Sequence, residues 1–251
     1  MNNVIPRKHY IEPDVLLVHK PAGMTSFAVV RELRKKLDIK KIGHAGTLDP
    51  LAHGLLITGI GSGTKKMSHY LALPKTYIAE IILGKSTSTG DLEGVITKER
   101  YVGLGDLRGN DIEDSVRGMK GTHRLPVPLY SAIKADGKAL YRYAREGKKP
   151  PYVPEKEMII TDIQLLDEYH SGECHVVQVR FVVTSGSYIR TLAEEFGRRI
   201  GYPATLRKLY RTHIGTYRDA DAYRFDAKRK KSARDFVRVI MRILLGKKRS
   251  L

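Results

Sequence analysis

The run Gly43-His44-Ala45-Gly46-Thr47-Leu48-Asp49-Pro50-Leu51-Ala52-His53-Gly54 constrains this chain more than any other stretch. Gly43 and Gly46 bracket a loop that needs backbone freedom, because glycine alone enters positive φ at little steric cost. Pro50 follows Asp49 directly and pushes it out of the helical region into an extended or turn conformation. The apolar run Leu55 to Ile60 comes next. One carboxylate is therefore held at a stiff corner between a flexible loop and a buried segment. Catalytic groups are commonly presented in this way, on loops fixed to a rigid scaffold. Read from spacing alone, the same stretch also suits a polar turn whose Asp caps a backbone group.

The rest of the chain reads as a mixture of strands and helices. Val15 to Val18 predicts a strand that ends at Lys20-Pro21. Ser26 is placed to cap a following helix, where Phe27, Val30, Leu33 and Leu37 recur at helical spacing. Gly59 to Lys66 is rich in glycine but lacks the spacing of a nucleotide-binding P-loop. It reads as a turn capped by Thr64, opening a short helix through Met67, Tyr70 and Leu71. Lys75 to Leu83 alternates as a strand, with Tyr77, Ala79, Ile81 and Leu83 on one face. Gly84 to Gly94 reads as a polar loop and Asp111 to Met119 as a helix. Val176 to Thr184 predicts a second alternating strand. It leads into a helix carrying Ile189, Leu192, Ala193, Phe196 and Ile200 on one stripe, with Tyr188 and Arg190 at its first turn. A basic cluster, Lys228 to Lys231, precedes an expected amphipathic helix with Phe236, Ile240, Ile243 and Leu244 on one face.

Composition narrows the choice of partner. Lys and Arg number 45 against 27 acids, a formal net charge of +18 on 251 residues. Folding gains nothing from such a surplus, since self-repulsion opposes the compact state. A polyanion explains it, with Lys and Arg displacing counterions from phosphates. Between 124 and 154, Lys134, Lys138, Arg142 and Arg145 are interleaved with Tyr130, Tyr141, Tyr143 and Tyr152. That mixture offers charge for phosphates and flat faces for unstacked bases. The single cysteine excludes an intrachain disulfide and a cysteine-based zinc site, which suits a reducing cytoplasm. No apolar run approaches the roughly 20 residues needed to span a bilayer, and the N-terminal residues lack the apolar core of a signal peptide.

The central run resembles the active-site motif of the TruB family of tRNA pseudouridine synthases. Four further blocks fall in family order: Lys20-Pro21-Ala22-Gly23-Met24-Thr25-Ser26, Lys75-Thr76-Tyr77, Tyr130-Ser131-Ala132-Ile133-Lys134 and Gly186-Ser187-Tyr188-Ile189-Arg190-Thr191. The resemblance implies an α+β pseudouridine synthase fold: a mixed, mostly antiparallel central sheet with flanking helices and a catalytic cleft. It implies a catalytic domain over 1–220, with an RNA-clasping insertion at about 124–154. The segment 221–251 is then expected to be a short basic extension, since its length is too small for the second RNA-binding module many family members carry.

The implied reaction isomerises uridine 55 in the T-loop of tRNA. The base is flipped out, the C1′–N1 bond is broken and the uracil is rejoined through C5. The resemblance assigns Asp49 the essential carboxylate, either adding to C1′ or taking a proton from C2′. It gives Tyr77, Tyr188, Arg190, Leu209 and His44 to substrate binding, with Lys20 and Lys65 in support. By family position Arg190 is expected beside Asp49, its guanidinium favouring the ionised carboxylate, since guanidinium forks onto such groups. No cofactor and no metal are implied. The expected partner is the tRNA T-arm, with no guide RNA and no membrane, and the expected protein is a cytoplasmic monomer. The rival readings are a guide-dependent enzyme of the dyskerin kind and a tRNA-folding chaperone. The chain departs from the family pattern at Ser88, at Leu125-Pro126-Val127-Pro128 and at Thr205.

Overall fold

The computed structural model describes residues 10–103, 105–107, 109–172 and 174–224. The basic cluster at Lys228 to Lys231 and the helix expected around Phe236 to Leu244 lie outside the described residues. In chain order the elements are β1 (Tyr10–Glu12), β2 (Val15–Lys20), α1 (Ser26–Leu37), β3 (Ile42–Ala45), β4 (His53–Ile60), α2 (Met67–Ala72), β5 (Lys75–Leu83), β6 (Lys85–Thr87), β7 (Ile96–Glu99) and α3 (Gly109–Arg117). There follow β8 (Gly121–Pro126), β9 (Lys134–Ala135), β10 (Lys138–Ala139), α4 (Leu140–Arg145), β11 (Glu155–Ser171), β12 (Cys174–Val183), α5 (Ile189–Ile200), β13 (Ala204–Ile214), β14 (Tyr217–Arg218) and β15 (Tyr223–Arg224). The described residues form two compact units, one within 10–75 with 210–224 and one within 76–209.

In the first unit, β2 pairs antiparallel with β4 from Val15↔Gly59 to Lys20↔Gly54, and β3 pairs antiparallel with β4 from Ile42↔Ile60 to Ala45↔Ile57. The C-terminal end of β13 adds parallel to β4 at Tyr210↔His53 and Arg211↔Gly54. Both faces of this sheet are covered, which is why β2 and β4 read as continuous apolar runs rather than alternating ones. Leu16, Val18, Leu56 and Ile60 face α1 through Val29, Val30 and Leu33. Val15, Leu17, Leu55 and Ile57 pack with Met67 and Tyr70 of α2. Each such side chain, fully buried, contributes about 1.5–3 kcal/mol. Gly54 sits at φ +113, and a β-carbon there would fall on the Arg211 carbonyl, so glycine is what lets β4 and β13 approach.

Several local expectations are corrected. Thr25, not Ser26, caps α1, its side chain accepting from the Ala28 amide at 3.0 Å. Phe27 is exposed, and Val29 joins Val30 and Leu33 on the face that packs against β2 and β4. Thr64 donates to the Gly61 carbonyl within a 3-10 turn, Gly61–Lys66, and does not cap α2.

In the second unit, β5 lies between β13 and β12, and β12, β11 and β8 continue the order. β11 and β12 form a long antiparallel hairpin, with register shifts between Ile160 and Asp162 and between Leu165 and Asp167. β5 alternates as expected, with Tyr77, Ala79 and Ile81 buried. The expected polar loop after Gly84 contains a small antiparallel pair, β6 with β7. The insertion at about 124–154 holds the β9–β10 pair and α4, around a small core of Val127, Ala135 and Leu140. No described helix is long and apolar enough to cross a membrane.

Candidate functional site

In the first unit, residues 46–52 close the β3–β4 hairpin and carry Asp49, which is half-buried. The loop begins at Gly46 with φ +83, a conformation glycine adopts freely. It is pinned on both sides of the acid. The Ser26 hydroxyl accepts from the Leu48 amide at 2.9 Å and donates to the Leu48 carbonyl at 3.2 Å, both residues being buried. Beyond the acid, the Ala52 amide donates to the Asp49 carbonyl at 3.1 Å and the Gly23 amide to the Pro50 carbonyl at 2.8 Å.

Lys20 is fully buried and donates to the carbonyls of Pro21 at 3.0 Å, Pro50 at 3.3 Å and Ala52. A buried ammonium is costly unless its donors are satisfied. Here three donors meet three carbonyls, so the charge ties β2 to the loop. The structure thus brings Lys20 and Asp49 into one local constellation. His44 is half-buried at the end of β3, with Nε2 3.3 Å from the Thr47 hydroxyl. Burial, and then the Arg211 guanidinium, hold its pKa below the usual histidine range. Lys65 lies apart from this network, exposed on the 3-10 turn; its neighbour Lys66 takes the ion pairs to Glu12 and Asp14.

Sequence reading missed Ser26 as a loop anchor, and it gave no site role to Arg211 or to Lys75 of the block Lys75-Thr76-Tyr77. Arg211 is 1% exposed; its Nε donates to the Leu55 carbonyl at 2.8 Å and its Nη2 to the Gly46 carbonyl at 3.0 Å. Lys75 is buried and donates to the carbonyls of Leu71 and, at 2.6 Å, Leu73. Burial, with a smaller push from Arg211, lowers its pKa to about 8. The signal for Arg211 was its place in the family-like run Leu206-Arg207-Lys208-Leu209-Tyr210-Arg211-Thr212.

A second polar knot lies at the same unit's C-terminal side. Asp219 is buried, and its carboxylate accepts from the Tyr210 hydroxyl at 2.9 Å and from Arg224 at 3.3 Å, with His19 Nδ1 2.9 Å away. Burial works to raise its pKa, but these partners, His19 first, leave it below the ordinary value. The His53 ring stacks on Tyr210 at 4.6 Å, nearly parallel.

The second unit carries the remaining expected residues. Tyr77 on β5 is 7% exposed, and Leu209 on β13 is buried. Tyr188 caps α5 and is half-buried; it packs on the small core of the insertion, and its amide donates to Met158 Sδ at 3.4 Å. Arg190 is not a surface helix residue. It is 4% exposed, donates to the Thr89 carbonyl at 2.8 Å and the Tyr130 carbonyl at 3.0 Å, and has Nε 3.8 Å from Asp91. It therefore ties the loop before β7 to the start of the insertion. Asp91 is itself buried, accepting from the Thr89 hydroxyl at 2.5 Å and the Glu93 amide at 3.1 Å. Among the described residues, no group of three His, Cys, Asp or Glu side chains is set to hold a metal.

Residues 34–189 match the family model for the N-terminal domain of TruB family pseudouridylate synthases. This chain belongs to the TruB family. It is 42% identical over 215 residues to a tRNA pseudouridine synthase B of Bacillus subtilis, covering 84% of this chain and 68% of that one. A tRNA pseudouridine synthase B of Desulfotalea psychrophila is 41% identical, over 83% of this chain and 84% of that one. Among solved structures, a chain of a Cbf5–Nop10–Gar1 complex superposes with a TM-score of 0.64 at 25% identity. That match covers 88% of this chain and 55% of the other, so the chain spans little more than half of its structural relative. The α+β pseudouridine synthase fold implied by the motifs is thereby established, with mostly antiparallel pairing and parallel contacts at β4–β13 and β2–β15.

Proposed function

We propose that the chain is a tRNA pseudouridine synthase that converts uridine 55 of the T-loop. The observation that carries this reading is Asp49, a half-buried carboxylate fixed on both flanks within the family's hairpin loop. The isomerisation needs a carboxylate at the sugar, a pocket that retains the detached uracil, and a proton acceptor for C5. The C1′–N1 bond breaks, C1′–C5 forms, C5 loses its proton and N1 gains one, so atoms and electrons balance without oxidant or cofactor. Asp49 acts at the ribose as a carboxylate. Pinning the loop before substrate arrives puts the ordering cost into folding rather than into the reaction.

A T-loop uridine is stacked, so it must be flipped out before reaction. Tyr77, Tyr188 and Leu209 serve the flipped base, Tyr77 as the stacking ring and acceptor of the C5 proton. Stacking on an aromatic ring is worth roughly 1–3 kcal/mol per base. Arg190 serves substrate binding and holds the Tyr130 carbonyl, and His44 fills space vacated in the RNA. Lys20 supports the loop, and exposed Lys65 meets phosphate. The surplus of +18 favours a polyanionic partner, which tRNA is. The reading places the protein in the cytoplasm as a monomer acting without a guide RNA.

Loss of the C5 proton supplies the test. An unmodified tRNA transcript tritiated at uridine C5 should release one label per tRNA when incubated with the protein alone. Release only after a guide RNA is added would transfer the protein to the guide-dependent reading. Tight binding without release would leave a chaperone.

A further inference from the structure

We propose that Arg211 is a positioning residue for Asp49, holding the acid's loop in register through the Gly46 carbonyl; this rests on the functional reading above. Three observations within the first unit carry it. The guanidinium is almost wholly buried and spans two backbone carbonyls, Leu55 in β4 and Gly46 at the first residue of the loop. Gly46 takes φ +83, which favours glycine, and turns its carbonyl to the guanidinium; a β-carbon added there would lie in ordinary contact, 3.4 Å from Arg211 Nη1. The other fixed points, Ser26 on Leu48 and Lys20 on Pro50 and Ala52, hold the middle and the far side of the loop. Arg211 holds the near side, so Asp49 is set from both directions.

The charge state of the group suits the task. His44 and Lys75, its cationic neighbours, are both displaced toward the neutral form, in part by Arg211 itself. A guanidinium stays charged at every working pH and presents a planar fork. It is the one of the three whose grip on a carbonyl does not change across the neutral range. Lysine at 211 would keep the charge but has no rigid fork with which to span both carbonyls.

The test compares Arg211→Lys, Gly46→Ala and the double variant with the wild-type full chain. Gly46→Ala strains the backbone that presents the same carbonyl, through its φ of +83, and leaves the buried guanidinium in place. It keeps the proposal testable if Arg211→Lys folds poorly. Two readouts are taken: single-turnover pseudouridine formation with the tRNA dissociation constant, and hydrogen exchange of the Leu48 and Ala52 amides. The expected result is a fall of about tenfold or more in the single-turnover rate with tRNA affinity within about threefold, the pattern of a lost transition-state placement. Exchange at Leu48 and Ala52 should rise while β4 amides stay protected. The double variant should be no slower than the product of the singles would predict, and well short of it, because both act on one contact.

Rates within about threefold of wild type with unchanged exchange would overturn the proposal, as would a loss confined to tRNA affinity. If the wild-type chain makes no pseudouridine, the functional reading fails. The exchange data then decide separately whether Arg211 sets the loop: unchanged exchange overturns that part, and raised exchange upholds it.

Discussion

Replacing Ser26 with alanine removes one oxygen and leaves two buried backbone groups without their partner. Ser26 is 1% exposed and Leu48 is 3% exposed, so water does not readily replace the hydroxyl. The Leu48 amide loses a 2.9 Å bond and the Leu48 carbonyl a 3.2 Å bond. Leaving a buried polar group unsatisfied costs about 1–3 kcal/mol. Since the second bond is long and partial, a local loss of about 2 kcal/mol is the reasoned figure. The loss is local to the loop, so the assay is native-state hydrogen exchange at Leu48. A loss of that size should speed exchange there roughly 30-fold, since 1.4 kcal/mol is a factor of ten. The internal control is Thr25→Ala. It removes an exposed helix cap for about 1 kcal/mol and should leave Leu48 unchanged. If exchange at Leu48 in Ser26→Ala stays within about threefold of wild type, the pinned-loop argument is wrong.

Other consequences follow from the same contacts. Burial holds the Lys75 ammonium at a pKa of about 8 against the ordinary lysine value of 10.5, so between those values the unfolded chain binds the extra proton. Wild type should therefore gain stability relative to Lys75→Met as pH rises from about 8 to 10.5, by an amount on the order of 3 kcal/mol. A flat difference across that window would refute the shift. Gly54→Ala places a β-carbon on the Arg211 carbonyl at φ +113 and should lose soluble, folded protein or drop Tm by more than about 5 °C. Arg190→Lys cannot hold the Thr89 and Tyr130 carbonyls together and should speed proteolytic cleavage within 130–147, with cleavage elsewhere unchanged.

What the sequence made legible is tied to local pattern. β2, β5 and α5 carry unbroken apolar or strictly periodic runs, and each lies close to where the pattern put it. β11 did not show itself, because most of its residues are half-buried or exposed and two register shifts break its alternation. Ser26 was read as a cap because capping chemistry is local, whereas its actual partner lies 22 residues away. Arg211 reaches across 165 residues to Gly46, and no spacing rule anticipates that. The loop glycines, Asp49 and Pro50 announced a presented acid, but the side chains that fix it come from distant β2, α1 and β13. Arg190 illustrates the same limit: helical phase placed it at the first turn, and only the fold shows it buried against two backbone carbonyls.

The most direct test of the central claim is site-resolved pseudouridine mapping on an unmodified tRNA transcript, with wild-type protein and with Asp49→Asn. The account predicts conversion at position 55 by wild type alone, with the variant still binding tRNA at comparable affinity. Conversion by Asp49→Asn at the wild-type rate, or wild-type conversion only at other uridines, would contradict it.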